Sequence, residues 1–266
     1  MGENQGKRPE EVLELVDAAT SALITSVRNL SDEEMRAPSK LPGWSRGHVL
    51  SHLARNADSF AQRIEGALRG ELLEPYPGGR QARDAAIESG AARPAVEILD
   101  DLANSADRLA TAFNAILNDG WERPISYVGR TAPLSSAPLA RLVEVGVHHV
   151  DLGIGYEPQD WSEGFVKLAL PYAVASMERK VGDVRGAQLS WHLHATDGMG
   201  EWLITRTQEG SSITSGHSHA DCVIRGPGGV ILGWLTGRLQ LDVGDLEVIG
   251  DRVNASLLPE LYPPLA

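Results

Sequence analysis

Glu144 and His148, four residues apart in Glu144-Val145-Gly146-Val147-His148, together with His52 far earlier in the chain, are the side chains best suited to chemistry. On a helix, positions i and i+4 project from one face about one turn apart, so both side chains can reach a single ion. A third ligand from another helix would complete the set. Two neutral imidazoles and a carboxylate suit a borderline divalent ion such as zinc. Three protein ligands also leave coordination positions open for water, substrate or a thiol, which points to catalysis rather than structural bracing. His48 lies four residues before His52, so spacing alone leaves either or both as the ligand.

Arg141, Glu144, His148 and Asp151 fall along one stripe of their helix, and Leu142, Val143, Val145, Val147, Val150 and Leu152 cover both flanks. A surface helix would show a broad polar face instead. Ionisable groups in an apolar helix are costly to bury unless they pair or bind an ion, so the stripe is either a buried ion-pair network or a polar site inside a bundle. His149 points about 100° away from His148 and reads as a packing or surface residue.

Other candidates are weaker. His192 and His194 share one strand face, opposite the apolar Trp191 and Leu193, and are expected to face solvent or a domain interface. His217-Ser218-His219 sits in a Ser/Gly-rich segment with no carboxylate run beside it. Gly226-Pro227-Gly228-Gly229 reads as a tight turn rather than an anion cradle. Cys222, the single cysteine, lies in an apparent strand over 221–225 and reads as a small buried residue, not a nucleophile. One cysteine also excludes an intrachain disulfide.

The elements that must position these groups are legible in part. Apolar residues at three- and four-residue spacing predict a helix from Pro9 to about Leu30, and Ser45 is a good N-cap for another running through His52 to about Leu68. A short helix near Arg83, a long one over 94–117, one over 138–152 and one over 162–180 follow. After about Gly182 the texture changes: segments 188–196 and 201–207 alternate around Asp197-Gly198-Met199-Gly200, a hairpin signal. Strand-like pieces at 221–225 and 246–249 flank a helical pattern over 229–235. The expected organisation is a helical bundle over 1–182 followed by a small domain over 183–266.

Composition narrows function. The 266 residues carry 36 acidic and 24 basic side chains, a net charge of −12, which opposes binding to nucleic acid or an anionic membrane. No apolar run approaches the ~20 residues of a membrane span, so a soluble, cytoplasmic protein is expected.

Gly43-Trp44-Ser45-Arg46-Gly47-His48-Val49-Leu50-Ser51-His52-Leu53-Ala54, with Glu144-Val145-Gly146-Val147-His148-His149-Val150-Asp151-Leu152-Gly153, resembles the mycothiol-dependent maleylpyruvate isomerase family of the DinB-like superfamily. The resemblance implies an α+β, mainly α, chain: a DinB-like four-helix bundle carrying a divalent metal, usually zinc, followed by a small α/β domain. It implies His52, Glu144 and His148 as the metal ligands, with His48 a neighbour on the same helix. It also implies that Arg83 and Arg238 are directed at the active site, where guanidinium groups would grip carboxylates of an anionic thiol or substrate. Mycothiol would be the thiol cofactor or co-substrate. Its thiolate would add to the cis double bond of maleylpyruvate, and rotation and elimination would give fumarylpyruvate. Two alternatives stay open: a mycothiol S-transferase or thiol-exchange enzyme acting on another small electrophile, and a non-catalytic metal- or ligand-binding accessory protein. The chain is expected to work as a monomer or small homo-oligomer.

Overall fold

The computed structural model describes residues 9–177, 189–207, 210–242 and 245–261. The chain begins with α1 (Glu10–Val27), which buries Leu13, Val16, Leu23 and Val27 along one stripe. A one-turn α2 (Asp32–Arg36) follows, started by a capping box between Ser31 and Glu34. The longest helix is α3 (Arg46–Leu68). At its start Ser45 Oγ accepts from the His48 backbone N–H, and the His48 ring accepts from the Ser45 backbone N–H. After α3 come α4 (Gly79–Ala91), α5 (Ala95–Asn114) and α6 (Ala137–Asp151).

Helices α1, α3, α5 and α6 form the four-helix bundle: α3 packs on α5 and α6, and α1 on α6 and α5, with α4 alongside α3. Leu23, Val27, Val49, Leu50, Leu53, Ile98, Leu102, Val145 and Leu152 are brought together in its core. Helix α6 is buried on nearly every side, as its flanking valines and leucines predict. A hairpin of β1 (Pro124–Tyr127) and β2 (Arg130–Pro133) precedes α6 and is absent from the sequence expectation. Two four-residue strands, each with a proline at its outer end, are too short for alternation to stand out.

The compact units divide between Gly155 and Tyr156. The expected boundary at 182/183, and the anticipated end of the preceding helix at Lys180, lie outside the described residues. Helix α7 (Glu163–Met177) was expected with the bundle. It belongs to the second unit, where it packs on α8 (Gly228–Leu235); a Cβ placed at Gly228 would meet Val166 Cγ1 at 3.3 Å. Its apolar residues are spread around the helix, so its sequence pattern does not say which partner it covers.

The second unit is built on a five-stranded sheet of order β5-β4-β3-β6-β7. β3 (Leu189–Ala195) pairs antiparallel with β4 (Gly200–Thr207) through the expected hairpin, and parallel with β6 (Cys222–Gly226). β5 (Gly210–Ser215), which the alternation did not reveal, extends the β4 edge, and β7 (Glu247–Gly250) extends the β6 edge. Trp191, Leu193, Ile204, Cys222 and Ile224 are buried, as are Ile231, Leu232 and Leu235 of α8. The Trp191 indole N–H donates to Asn254 O at the short α9 (Arg252–Ser256). The backbone N–H of Gly228 donates to Asp197 Oδ2 at 2.8 Å, so the start of α8 is capped by the chain's own carboxylate.

Candidate metal centre

Two arginine clamps set α3 against α6. Near the start of α3, Arg46 donates through Nε to Leu152 O at 2.9 Å and through Nη2 to Gly153 O at 3.3 Å. Farther along, the buried Arg141 of α6 donates through Nη1 to Leu53 O at 2.9 Å and Asn56 Oδ1 at 2.8 Å of α3. Between the clamps, His52 faces Glu144 and His148. His52 Nε2 lies 3.1 Å from Glu144 Oε2, and His148 Nε2 lies 3.6 Å from the same oxygen. The two imidazoles meet edge to face, 4.8 Å between centroids. One ligand atom from each of the three residues lies within 4.8 Å of the others.

The donor set fits a divalent ion. His148 Nε2 is buried with no hydrogen-bond partner among the described residues, the orphaned atom that an ion would satisfy. His148 Nδ1 contacts Asp151 Oδ2 at 2.7 Å, one turn on, which places the ring proton on Nδ1 and the lone pair on Nε2. His52 is only 2 % exposed, and this burial pushes its pKa down to about 4 against the pull of Glu144, so its ring is neutral near pH 7. Burial opposes ionisation of Glu144, but the two imidazoles that face it, His148 and His52, outweigh this and hold the carboxyl well below the usual range. Burial also opposes protonation of His148, but Asp151 and Glu144 outweigh it and raise its pKa. Such ligands exchange a proton for a metal on binding.

Helix α4 brings Arg83 to this cluster. A Cβ on Gly90 would meet Ser51 Oγ of α3 at 2.7 Å, so only glycine lets the two helices approach so closely. Arg83 is seven residues before Gly90, two turns along the same face. Its Nη2 lies 3.2 Å from His52 Nδ1, while Nη1 donates to Asp84 Oδ1 at 2.9 Å and the guanidinium lies 5.5 Å from the Tyr76 ring centroid. Because a guanidinium only donates, His52 Nδ1 accepts here and its proton sits on Nε2, toward Glu144. A His52 that offers its Nε2 lone pair to an ion must carry its proton on Nδ1. Ligation through Nε2 and the Arg83 contact therefore exclude each other.

The other expected residues fall as follows. His48 does not join the cluster: its Nδ1 is engaged by Ser45 and its Nε2 lies 3.0 Å from Glu88 Oε2. His149 is buried against α1, with Nε2 2.8 Å from Ser26 Oγ. Arg238 belongs to the second unit, on the turn after α8, where its Nη1 donates to Thr236 O. Cys222 is buried in β6, and burial pushes its thiol pKa up.

The residue reading gave no role to a polar column in α3. His52, Asn56, Ser59 and Arg63 follow one another at spacings of four, three and four, and all are buried. Arg63 donates to Ser126 O and Ser59 O and lies over the Phe60 ring at 4.3 Å. The signal was present as polar residues at helical spacing in an apolar helix. Arg141 has a second buried arm, Nη2, with no hydrogen-bond partner among the described residues. Burial brings its pKa down to about 10, so it remains a cation at neutral pH.

Fold and site together define a four-helix-bundle protein with a buried His-Glu-His group that could hold a metal ion, in a chain that continues into a small α/β unit. Residues 16–153, more than half of the chain, match the model of the mycothiol maleylpyruvate isomerase N-terminal domain, and the chain belongs to that family. The crystal structure of the mycothiol-dependent maleylpyruvate isomerase is similar over 86 % of this chain and 89 % of that one, with a TM-score of 0.71 and 23 % identity. The crystal structure of a histidine-to-alanine mutant of the mycothiol-dependent maleylpyruvate isomerase gives the same coverage and TM-score at 22 % identity. At these identities the likeness carries the fold alone. No curated protein matches the chain.

Proposed function

We propose that the chain is a metal-dependent enzyme that uses the thiol of mycothiol on a small anionic electrophile, with cis–trans isomerisation of maleylpyruvate as the reading supported best. The observation that carries it is the meeting of His52, Glu144 and His148 with Arg83 in a chain of the mycothiol maleylpyruvate isomerase family. His52, Glu144 and His148 would hold the ion, for which zinc suits two imidazoles and a carboxylate. A bound divalent ion would lower the pKa of a coordinated thiol and favour the thiolate.

The chain's own residues prepare that chemistry. Asp151 fixes the tautomer of His148. Trp44 packs beside the imidazole, its ring centroid 5.7 Å from that of His52 and its plane tilted by 58°. Arg83 Nη2, displaced from His52 Nδ1 when His52 ligates, would turn to a carboxylate of the thiol or substrate while Nη1 holds Asp84. The unpaired Nη2 of Arg141 offers a second buried cationic donor to an anionic group. Cys222 takes no part. Among the described residues no helix is long and apolar enough to cross a membrane; we place the enzyme in the cytoplasm, as a monomer or small homo-oligomer.

The test is to assay zinc-loaded protein with maleylpyruvate in the presence and absence of mycothiol. Formation of fumarylpyruvate that requires the thiol is expected. Stable thiol conjugates with other electrophiles and no isomerisation would replace this reading by an S-transferase, and no reaction with either would leave a binding protein.

A further inference from the structure

A second group of residues that could hold a metal ion lies in the second unit. His192 was expected at solvent or an interface but is only 1 % exposed, and His217 has no carboxylate run beside it in the sequence. The sheet supplies one. Glu201 on β4 is the direct cross-strand partner of His194 on β3, and His192 lies two residues away on the same face. After β5 the backbone N–H of Gly216 donates to Glu201 O at 2.9 Å, which brings the next residue, His217, to the same carboxylate.

All three rings converge on a single oxygen. His192 Nε2, His217 Nδ1 and His194 Nδ1 lie 2.8, 3.1 and 3.6 Å from Glu201 Oε1. A carboxylate oxygen offers two lone pairs, so hydrogen bonding alone leaves at least one ring unserved. His192 is the clearest case: its buried Nε2, 2.8 Å from Glu201 Oε1, has no hydrogen-bond partner among the described residues. Bonds of about 2.0–2.1 Å to a tetrahedral ion set its ligand atoms about 3.3 Å apart, within the spread of these distances. The rings of His192 and His217 meet at 4.8 Å and 87°, much as His52 and His148 do at 4.8 Å and 83° in the bundle.

We infer that His192, Glu201 and His217 form a second divalent-metal site, for a borderline transition ion of the zinc, nickel or copper class, with His194 beside it, its Nδ1 3.6 Å from Glu201 Oε1. Two imidazoles and one carboxylate suit such an ion, and they are the same donor types that meet in the bundle. The ion would clip β3, β4 and the segment after β5 together. His217, with a side chain 78 % exposed, leaves the site accessible from solvent.

The experiment removes the bundle site by His52→Ala in the full chain, then titrates zinc by calorimetry with metal analysis after dialysis. The His52→Ala protein should retain one equivalent of zinc and melt at a higher temperature with it than without it. Adding His217→Ala, which touches no core, or the near-isosteric Glu201→Gln should weaken that remaining binding by more than the roughly 10–100-fold cost of losing an outer hydrogen-bond partner. Cobalt(II) loading should give a visible absorption band that both changes abolish. If His52→Ala leaves two equivalents and His217→Ala removes one of them, the second site stands and the bundle assignment fails. A His52→Ala protein that binds no zinc, or whose zinc survives both changes, overturns the inference.

Discussion

Changing Asp151 to Asn tests how the bundle site is prepared. Asp151 Oδ2 accepts from His148 Nδ1 at 2.7 Å in a fully buried environment, so the bond is charge-assisted and unscreened by water. An Asn amide at this place can turn its NH2 toward Nδ1, which moves the ring proton to Nε2, the atom that should ligate. A hydrogen bond to a charged group is worth about 1.5–3 kcal/mol, and loss of a carboxylate behind a ligating histidine costs about 10–100-fold in metal affinity, or 1.4–2.7 kcal/mol. The two figures agree. Zinc dissociation constants measured against a competing chelator should therefore rise by about one to two orders of magnitude in Asp151→Asn. The metal-free melting temperature separates this from unfolding, because a folded protein with weakened zinc is the expected outcome. An affinity within a factor of about two of the parent, in a protein melting like the parent, would refute the tautomer argument.

Four further outcomes follow from the same geometry. His52→Ala should abolish metal binding in the bundle while His48→Ala keeps it and loses only about 1 kcal/mol from the α3 cap; metal analysis and thermal melts of the two proteins decide whether the ligand was chosen correctly. Arg83→Lys keeps the charge but loses the fork, so kcat/KM should fall by roughly tenfold or more with zinc affinity undiminished, and unchanged kinetics would make Arg83 a structural residue. Gly90→Ala forces a Cβ to within 2.7 Å of Ser51 Oγ, so it should destabilise by about 1–3 kcal/mol and lower activity through the displacement of α4 and Arg83, read by denaturant melts and steady-state rates. Cys222→Ala should turn over normally with mycothiol, and the parent should be inactive without added thiol; turnover of the parent in thiol-free buffer that Cys222→Ala abolishes would point to a protein nucleophile instead.

The sequence by itself determined the helices of the bundle and the shared face of Glu144 and His148. Both rest on local periodicity: the valines and leucines around Glu144 and His148 declare a buried helix, and four-residue spacing fixes their shared face whatever the helix packs against. Ser45 marked the start of α3 because capping is also local. Spacing could not separate His52 from His48, which only the resemblance distinguished; the tertiary structure engages His48 with Ser45 and Glu88 and turns His52 to α6. It also set Arg83 against His52, through a helix approach that only Gly90 permits. The same limit hid the second histidine cluster, since His192, Glu201 and His217 come from separate segments, and only strand register decides which of them meet. Pairing across strands is set by the burial of whole faces and by turns, not by the identity of the residues that end up opposite one another.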